Sequence, residues 1–152
     1  MERNVSLIRR SLITFALICC AIGFPQALAA EDSRLVLVAS AQSPLAPLTP
    51  AEVRRLYLGI TMTHGGREIV ALRNAENPVV KEKFLQHVLF MSAQAYERQI
   101  SARLYRAGGN RIPEIREVQL LLESLAADPL AVTYMQAETA ARRPGVKVLS
   151  EL

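Results

Sequence analysis

Leu35-Val36-Leu37-Val38-Ala39 is an unbroken apolar run with no position left to face water. Strands with one wet face alternate apolar and polar residues. A continuous run therefore predicts a strand buried on both faces, of the kind found in parallel sheets covered by helices. Ser40 to Pro47 reads as a loop with two prolines. Thr49 then opens a helix. Its side chain can cap, Pro50 suits the first helical position, and Glu52 three residues on completes a capping box. Val53, Leu56 and Tyr57 share one face of that helix, and Gly59 is placed to stop it.

The alternation continues. Thr61 to Arg67 is a turn around Gly65-Gly66, and Ile69-Val70-Ala71-Leu72 is a second short strand. Arg73 to Asn77 is a polar loop, and Asn77-Pro78 starts a helix by cap and proline. Val80, Phe84 and Val88 form its apolar stripe. Ser92 caps a third helix with Tyr96, Ile100 and Leu104 inward, which Gly108-Gly109-Asn110 ends. Pro113 starts a fourth, with Val118, Leu121, Leu122 and Leu125 on one face, and Asp128-Pro129 stops it. Ala131 to Met135 and, after a Pro144-Gly145 turn, Val146 to Leu149 are the last strands. The order β-α-β-α-α-α-β-β predicts an α/β fold in three layers. Its sheet is mostly parallel, has about four strands and is flanked by helices.

Residues 1–29 read as a secretory signal. Arg3, Arg9 and Arg10 precede a largely apolar stretch from Ser11 to Phe24, and Ala27-Leu28-Ala29 gives small residues at the positions a signal peptidase reads. The stretch is short of the roughly 20 residues of a membrane span. Cleavage after Ala29 or Ala30 is expected. The mature domain would be 30–152, periplasmic or secreted, with no membrane attachment. Removing 1–29 takes three of the 18 Lys and Arg and one of the 14 Asp and Glu, which leaves a net charge of +2. That is too near neutral to predict nucleic-acid binding. Both cysteines go too, so neither disulfide nor thiolate chemistry is expected.

Enzyme chemistry finds little support. His64 and His87 have no metal-ligand spacing to each other or to the two Asp of the mature chain, and no G-x-S-x-G, G-x-G-x-x-G or Walker motif is present. No metal, no cofactor and no catalytic residue are expected. The loop Arg73-Asn74-Ala75-Glu76-Asn77 offers binding instead, because it joins a strand end to a helix N-terminus, where unpaired N–H groups favour anions. Arg73 could clamp an oxyanion with paired hydrogen bonds, and Asn74 and Asn77 could add donors. Equally, Arg73 could pair with Glu76 while Asn77 only caps its helix. A second basic cluster, Arg98, Arg103, Arg106 and Arg111, reads either as a solvated face or as a docking surface.

Leu48 to Gly59 resembles a stretch in the phosphate-binding subunits of ABC importers, where a capped helix ends in an aromatic, one further residue and a glycine. In that family a turn, a strand, an Arg and a loop at a helix N-terminus follow, and Ile69 to Asn77 stands in that place. The family's late Gly-x-Ile-Gly-Tyr strand is similar to Leu130-Ala131-Val132-Thr133-Tyr134, and its closing strand to Val146 to Leu149. The resemblance implies a single lobe of a type 2 periplasmic-binding-protein fold and a ligand held by Arg73, Asn74 and Asn77, with Tyr134 as a structural match. This chain departs in having no Trp after Gly59, in Asn74-Ala75-Glu76-Asn77 where the family uses Gly, Ser and Thr, and in Leu130 and Thr133 where it has glycines. The implied function is a phosphate-transport-type solute-binding domain, taking a small phosphate-like oxyanion weakly or with a protein partner or second copy that completes the cleft. The alternative is a ligand-free extracytoplasmic adaptor built from such a lobe.

Overall fold

In the computed structural model, which describes residues 34–152, the first strand has every residue buried. The elements in order are β1 (Leu35–Ser40), α1 (Pro50–Tyr57), β2 (Thr63–His64), β3 (Arg67–Glu68), β4 (Val70–Ala71), β5 (Arg73–Asn74) and α2 (Pro78–His87). They continue with α3 (Ala93–Ala107), β6 (Glu114–Ile115), α4 (Val118–Ala127), β7 (Ala131–Gln136), α5 (Ala137–Ala141) and β8 (Val146–Glu151). The expected signal segment, residues 1–29, lies outside the described residues. No helix among the described residues is long and apolar enough to cross a membrane.

The main sheet has four strands in the order β4-β7-β1-β8. Alternate residues of β1 enter two different cores, as an unbroken apolar run requires. Leu35, Leu37 and Ala39 pack with α1, α2 and α3, whereas Val36 and Val38 pack with Leu121, Leu125 and Ala140 from α4 and α5. Helices therefore flank both faces of a central sheet, and the fold is α/β. The expectation of a mostly parallel sheet is corrected. β1 pairs antiparallel with both β7 and β8, and only β4 with β7 is parallel. A run of apolar residues reports that both faces are covered. It carries no information on the direction of neighbouring strands.

Local signals place the helices. The Thr49–Glu52 capping box forms, with Glu52 N–H donating to Thr49 Oγ1 at 3.3 Å and Thr49 N–H to Glu52 Oε2 at 2.7 Å. Asn77 Oδ1 accepts from Val79 N–H, and Ser92 Oγ from Ala95 N–H. The helix expected from Pro113 instead begins at Val118, because residues 113–115 are drawn into a strand. Arg73 N–H donates to Pro113 C=O and Ala75 N–H to Ile115 C=O, both at 2.8 Å. Pairing along a strand outweighed the helix-start preference of a single proline. The β2–β3 hairpin forms at the expected Thr61–Arg67 turn and runs one residue past it to Glu68, and α5 was not anticipated.

Three aromatic rings tie the helices to the sheet. Phe84 stacks on Tyr134 with centroids 3.8 Å apart, and Tyr57 meets both edge-on. Burial pushes the Tyr57 hydroxyl well above the ordinary tyrosine range, which keeps it a neutral donor to Leu72 C=O at 3.1 Å. Leu37 is fully buried and Val148 about half exposed. Leu37→Ala is accordingly expected to lower unfolding free energy by about 2–5 kcal/mol. Val148→Ala should cost no more than about 0.5 kcal/mol, as at an ordinary surface position. Urea melts of the two variants test this.

Candidate functional site

Arg73 is the first residue of β5, two positions after β4, and its side chain reaches a carboxylate of α3. Nη1 lies 2.6 Å from Glu97 of α3, and Nη2 lies 2.8 Å from Glu114 of β6. The guanidinium sits 5.4 Å from the centroid of the Tyr96 ring, and only 8% of the side chain is exposed. Nε is buried without a hydrogen-bond partner among the described residues. Glu97 also pairs with Arg111 at 3.1 Å, and Glu114 with Lys81 of α2 at 3.0 Å. The exposed Arg116 reaches Glu114 as well, at 4.0 Å, so four cations and two carboxylates form one network that joins β5, α2, α3, β6 and the segments beside β6. All of these side chains except Arg116, with Ile112 and Pro113, line an open cavity of ≈ 460 Å³.

Charge on this network is set by its partners. Desolvation pushes the Glu114 carboxyl up, but the hydrogen bond from Lys81 and the positive charge of Arg73 together outweigh it and hold the group below its ordinary 4.5. Burial raises the Tyr96 hydroxyl to about 12, against the opposing pull of Arg73. The hydroxyl stays protonated and donates to Tyr57 C=O at 2.9 Å, which fixes α3 against the end of α1.

The expected Arg73–Asn77 loop is corrected: Arg73 and Asn74 pair with β6 as the strand β5, Asn77 caps α2, and each has an internal task. Arg73 pairs with Glu97 and Glu114 rather than with the nearby Glu76. Asn74 is 3% exposed; its Nδ2 donates to Tyr134 C=O at 3.1 Å, and its Oδ1 accepts from Glu76 N–H at 3.0 Å. Tyr134 returns a hydrogen bond from its hydroxyl to Asn74 C=O at 2.9 Å. Asn77 caps α2, so the N–H groups of Val79 and Val80 that an anion would use already have an acceptor. Sequence reasoning missed Glu97 and Glu114. A signal existed for the first. Glu97 falls with Ala93, Ile100 and Leu104 on the inward stripe of α3, where a carboxylate requires a cation. His64 and His87 are exposed and lie in other elements. Among the described residues no three His, Cys, Asp or Glu are grouped to hold a metal ion.

No protein-family model matches the chain, and no curated protein matches it. Among solved structures it is similar to an ABC-type phosphate transport receptor from Vibrio cholerae. The TM-score is 0.51 and the identity 12%, over 77% of this chain and 45% of the receptor. The chain therefore has a mixed α/β fold similar to part of that receptor, and it spans less than half the receptor's length.

Removing Arg73 leaves Glu97 with the partly exposed Arg111, and Glu114 with Lys81 and the exposed Arg116. Breaking a buried ion pair costs about 3–5 kcal/mol, and exposed pairs contribute about 0–1. Arg73→Met, with Glu97 and Glu114 only partly buried, is expected to cost about 1–3 kcal/mol, and Arg111→Met less than about 1. Because the Glu114 pKa is lowered on folding, its contribution is present above 4.5 and lost as pH falls through the lower folded value. Stability of the wild type should therefore fall more steeply below pH 4.5 than that of Glu114→Gln, as read by chemical denaturation across that range.

Proposed function

We propose that this chain is an extracytoplasmic module made of a single lobe of the solute-binding type. Its ligand-facing loop has become a structural ion-pair network, and it works by holding a protein partner rather than by capturing an oxyanion by itself. The observation that carries this reading is the double engagement of Arg73 by Glu97 and Glu114. An incoming phosphate would have to displace two carboxylates at hydrogen-bond distance and would meet their negative charge. The capping of α2 by Asn77 removes the second attraction, the open helix terminus. The secretory pattern of residues 1–29 supports a periplasmic or secreted location, and the mature domain is then 30–152. No catalytic role is proposed for any residue.

A second reading keeps Arg73, Asn74 and Asn77 as a phosphate-like oxyanion site that a partner or second copy completes. Two observations favour it: the similar solved structure is a phosphate transport receptor, and the network has an excess of positive charge, with Arg73, Lys81, Arg111 and Arg116 against Glu97 and Glu114. The readings differ in thermal shift. A ligand present at 100 times its Kd stabilises by about 2.7 kcal/mol, which raises the melting temperature by on the order of 10 °C in a chain of this size. Phosphate, sulfate and molybdate at millimolar concentration are expected to leave the melting temperature of the protein unchanged beyond general salt effects. A saturable rise with one of them, lost in Arg73→Met, would instead support the oxyanion reading.

A further inference from the structure

The C-terminal end of α1 satisfies its own backbone. The C=O groups of Arg54, Arg55 and Leu56 accept from the N–H groups of Leu58, Ile60 and Gly59, and Tyr57 C=O accepts from the Tyr96 hydroxyl. Gly59 closes this turn at a φ of +79°. Arg103 of α3 lies across it: a Cβ at position 59 would come within 3.2 Å of Arg103 Cδ and 3.3 Å of its Nε. A cation at a helix C-terminus ordinarily hydrogen-bonds the last carbonyls. Here those carbonyls are taken. Arg103 is half-buried, yet among the described residues it makes no hydrogen bond and no ion pair.

That arginine stands on a groove of ≈ 510 Å³ bounded by the end of α1, β4 and α3. Ile60, Leu104 and Ile112, each only partly covered, give it apolar wall. Its other charged side chains are Arg111 and Glu68. Arg111 is already paired with Glu97 and donates to Ser101 Oγ, and Glu68 is exposed. The groove therefore sets one guanidinium without an acceptor beside apolar surface, in a volume within the roughly 300–1,000 Å³ of small-molecule sites. A guanidinium matches a carboxylate with two parallel hydrogen bonds. One such cation balances one negative charge. A dianion such as phosphate would exceed it and would leave the isoleucines uncovered.

We propose that this groove binds a small organic monocarboxylate with an apolar body. The carboxylate sits on Arg103, and the hydrocarbon lies against Ile60, Leu104 and Ile112. Burial of the hydrocarbon supplies affinity, and the guanidinium selects an acid over the alcohol or amine of the same length. This inference goes beyond the partner-holding reading and does not depend on it. Arg73 lines the neighbouring cavity, and of the two linings only Arg111, Ile112 and Pro113 are shared.

The test is NMR of the isotopically labelled protein, following the Arg103 Nε–Hε resonance and the methyl groups of Ile60 and Ile112. Hexanoate is titrated to tens of millimolar, against hexylammonium, hexanol and inorganic phosphate at equal ionic strength. The expected result is saturable movement of these signals with hexanoate, at an affinity at least about tenfold above that for hexylammonium or hexanol. Phosphate should leave Arg103 unmoved. Arg103→Gln should lower hexanoate affinity about tenfold, to that of hexanol, with the amide spectrum reporting that the variant is folded. The proposal is overturned if hexanoate moves none of these signals, or if hexylammonium or hexanol binds as tightly. It is also overturned if phosphate competes with hexanoate, or if folded Arg103→Gln keeps the wild-type affinity. Should the variant fail to fold, the wild-type comparison decides by itself.

Discussion

A guanidinium held between two carboxylates organises the region around the end of β5. Arg73 receives Glu97 from α3 and Glu114 from β6, and those carboxylates bring in Arg111 and Lys81. Each partner arrives on a different element, so the network fixes where α3, α2 and the short β6 strand sit relative to the main sheet. Tyr96 beneath the guanidinium and the reciprocal Asn74–Tyr134 hydrogen bonds close the same region from the core side. These contacts use groups that a small-ligand site would otherwise leave free for the ligand.

The fold and the site answer different questions. The likeness to a phosphate transport receptor concerns the backbone, at 12% identity and over less than half of that receptor. Function lives in the side chains placed on such a backbone. At the loop in question those side chains are an arginine turned inward, a buried asparagine bonded to the strand beside it and a second asparagine spent on a helix cap. The proposal of a partner-holding module rests on how those groups are used.

Much of the fold was legible in the sequence. Physically strong local signals carried it: the unbroken apolar run of β1, the Thr49–Glu52 box, and the caps Asn77 and Ser92. Each of these is decided within a few residues, and each formed. What was not legible depends on contacts between distant segments. The direction of β7 and β8 against β1, the capture of residues 113–115 by β5 and the origin of the Arg73 partners are decisions of this kind. Glu76 was the nearest carboxylate along the chain, yet α3 and β6 delivered better-placed ones. The candidate residues were expected in one loop, but Arg73 and Asn74 form β5 and Asn77 caps α2, and the contacts they make turn on neighbours that no local pattern names.

The most direct measurement follows the Arg73 side chain itself. Its Nε–Hε resonance, observed while phosphate is titrated from zero to tens of millimolar, reports whether the guanidinium changes partners. The account predicts a resonance that stays in place, with rotation about the guanidinium bonds slowed by Glu97 and Glu114. A saturable displacement of that resonance, matched by release of either carboxylate, would contradict it.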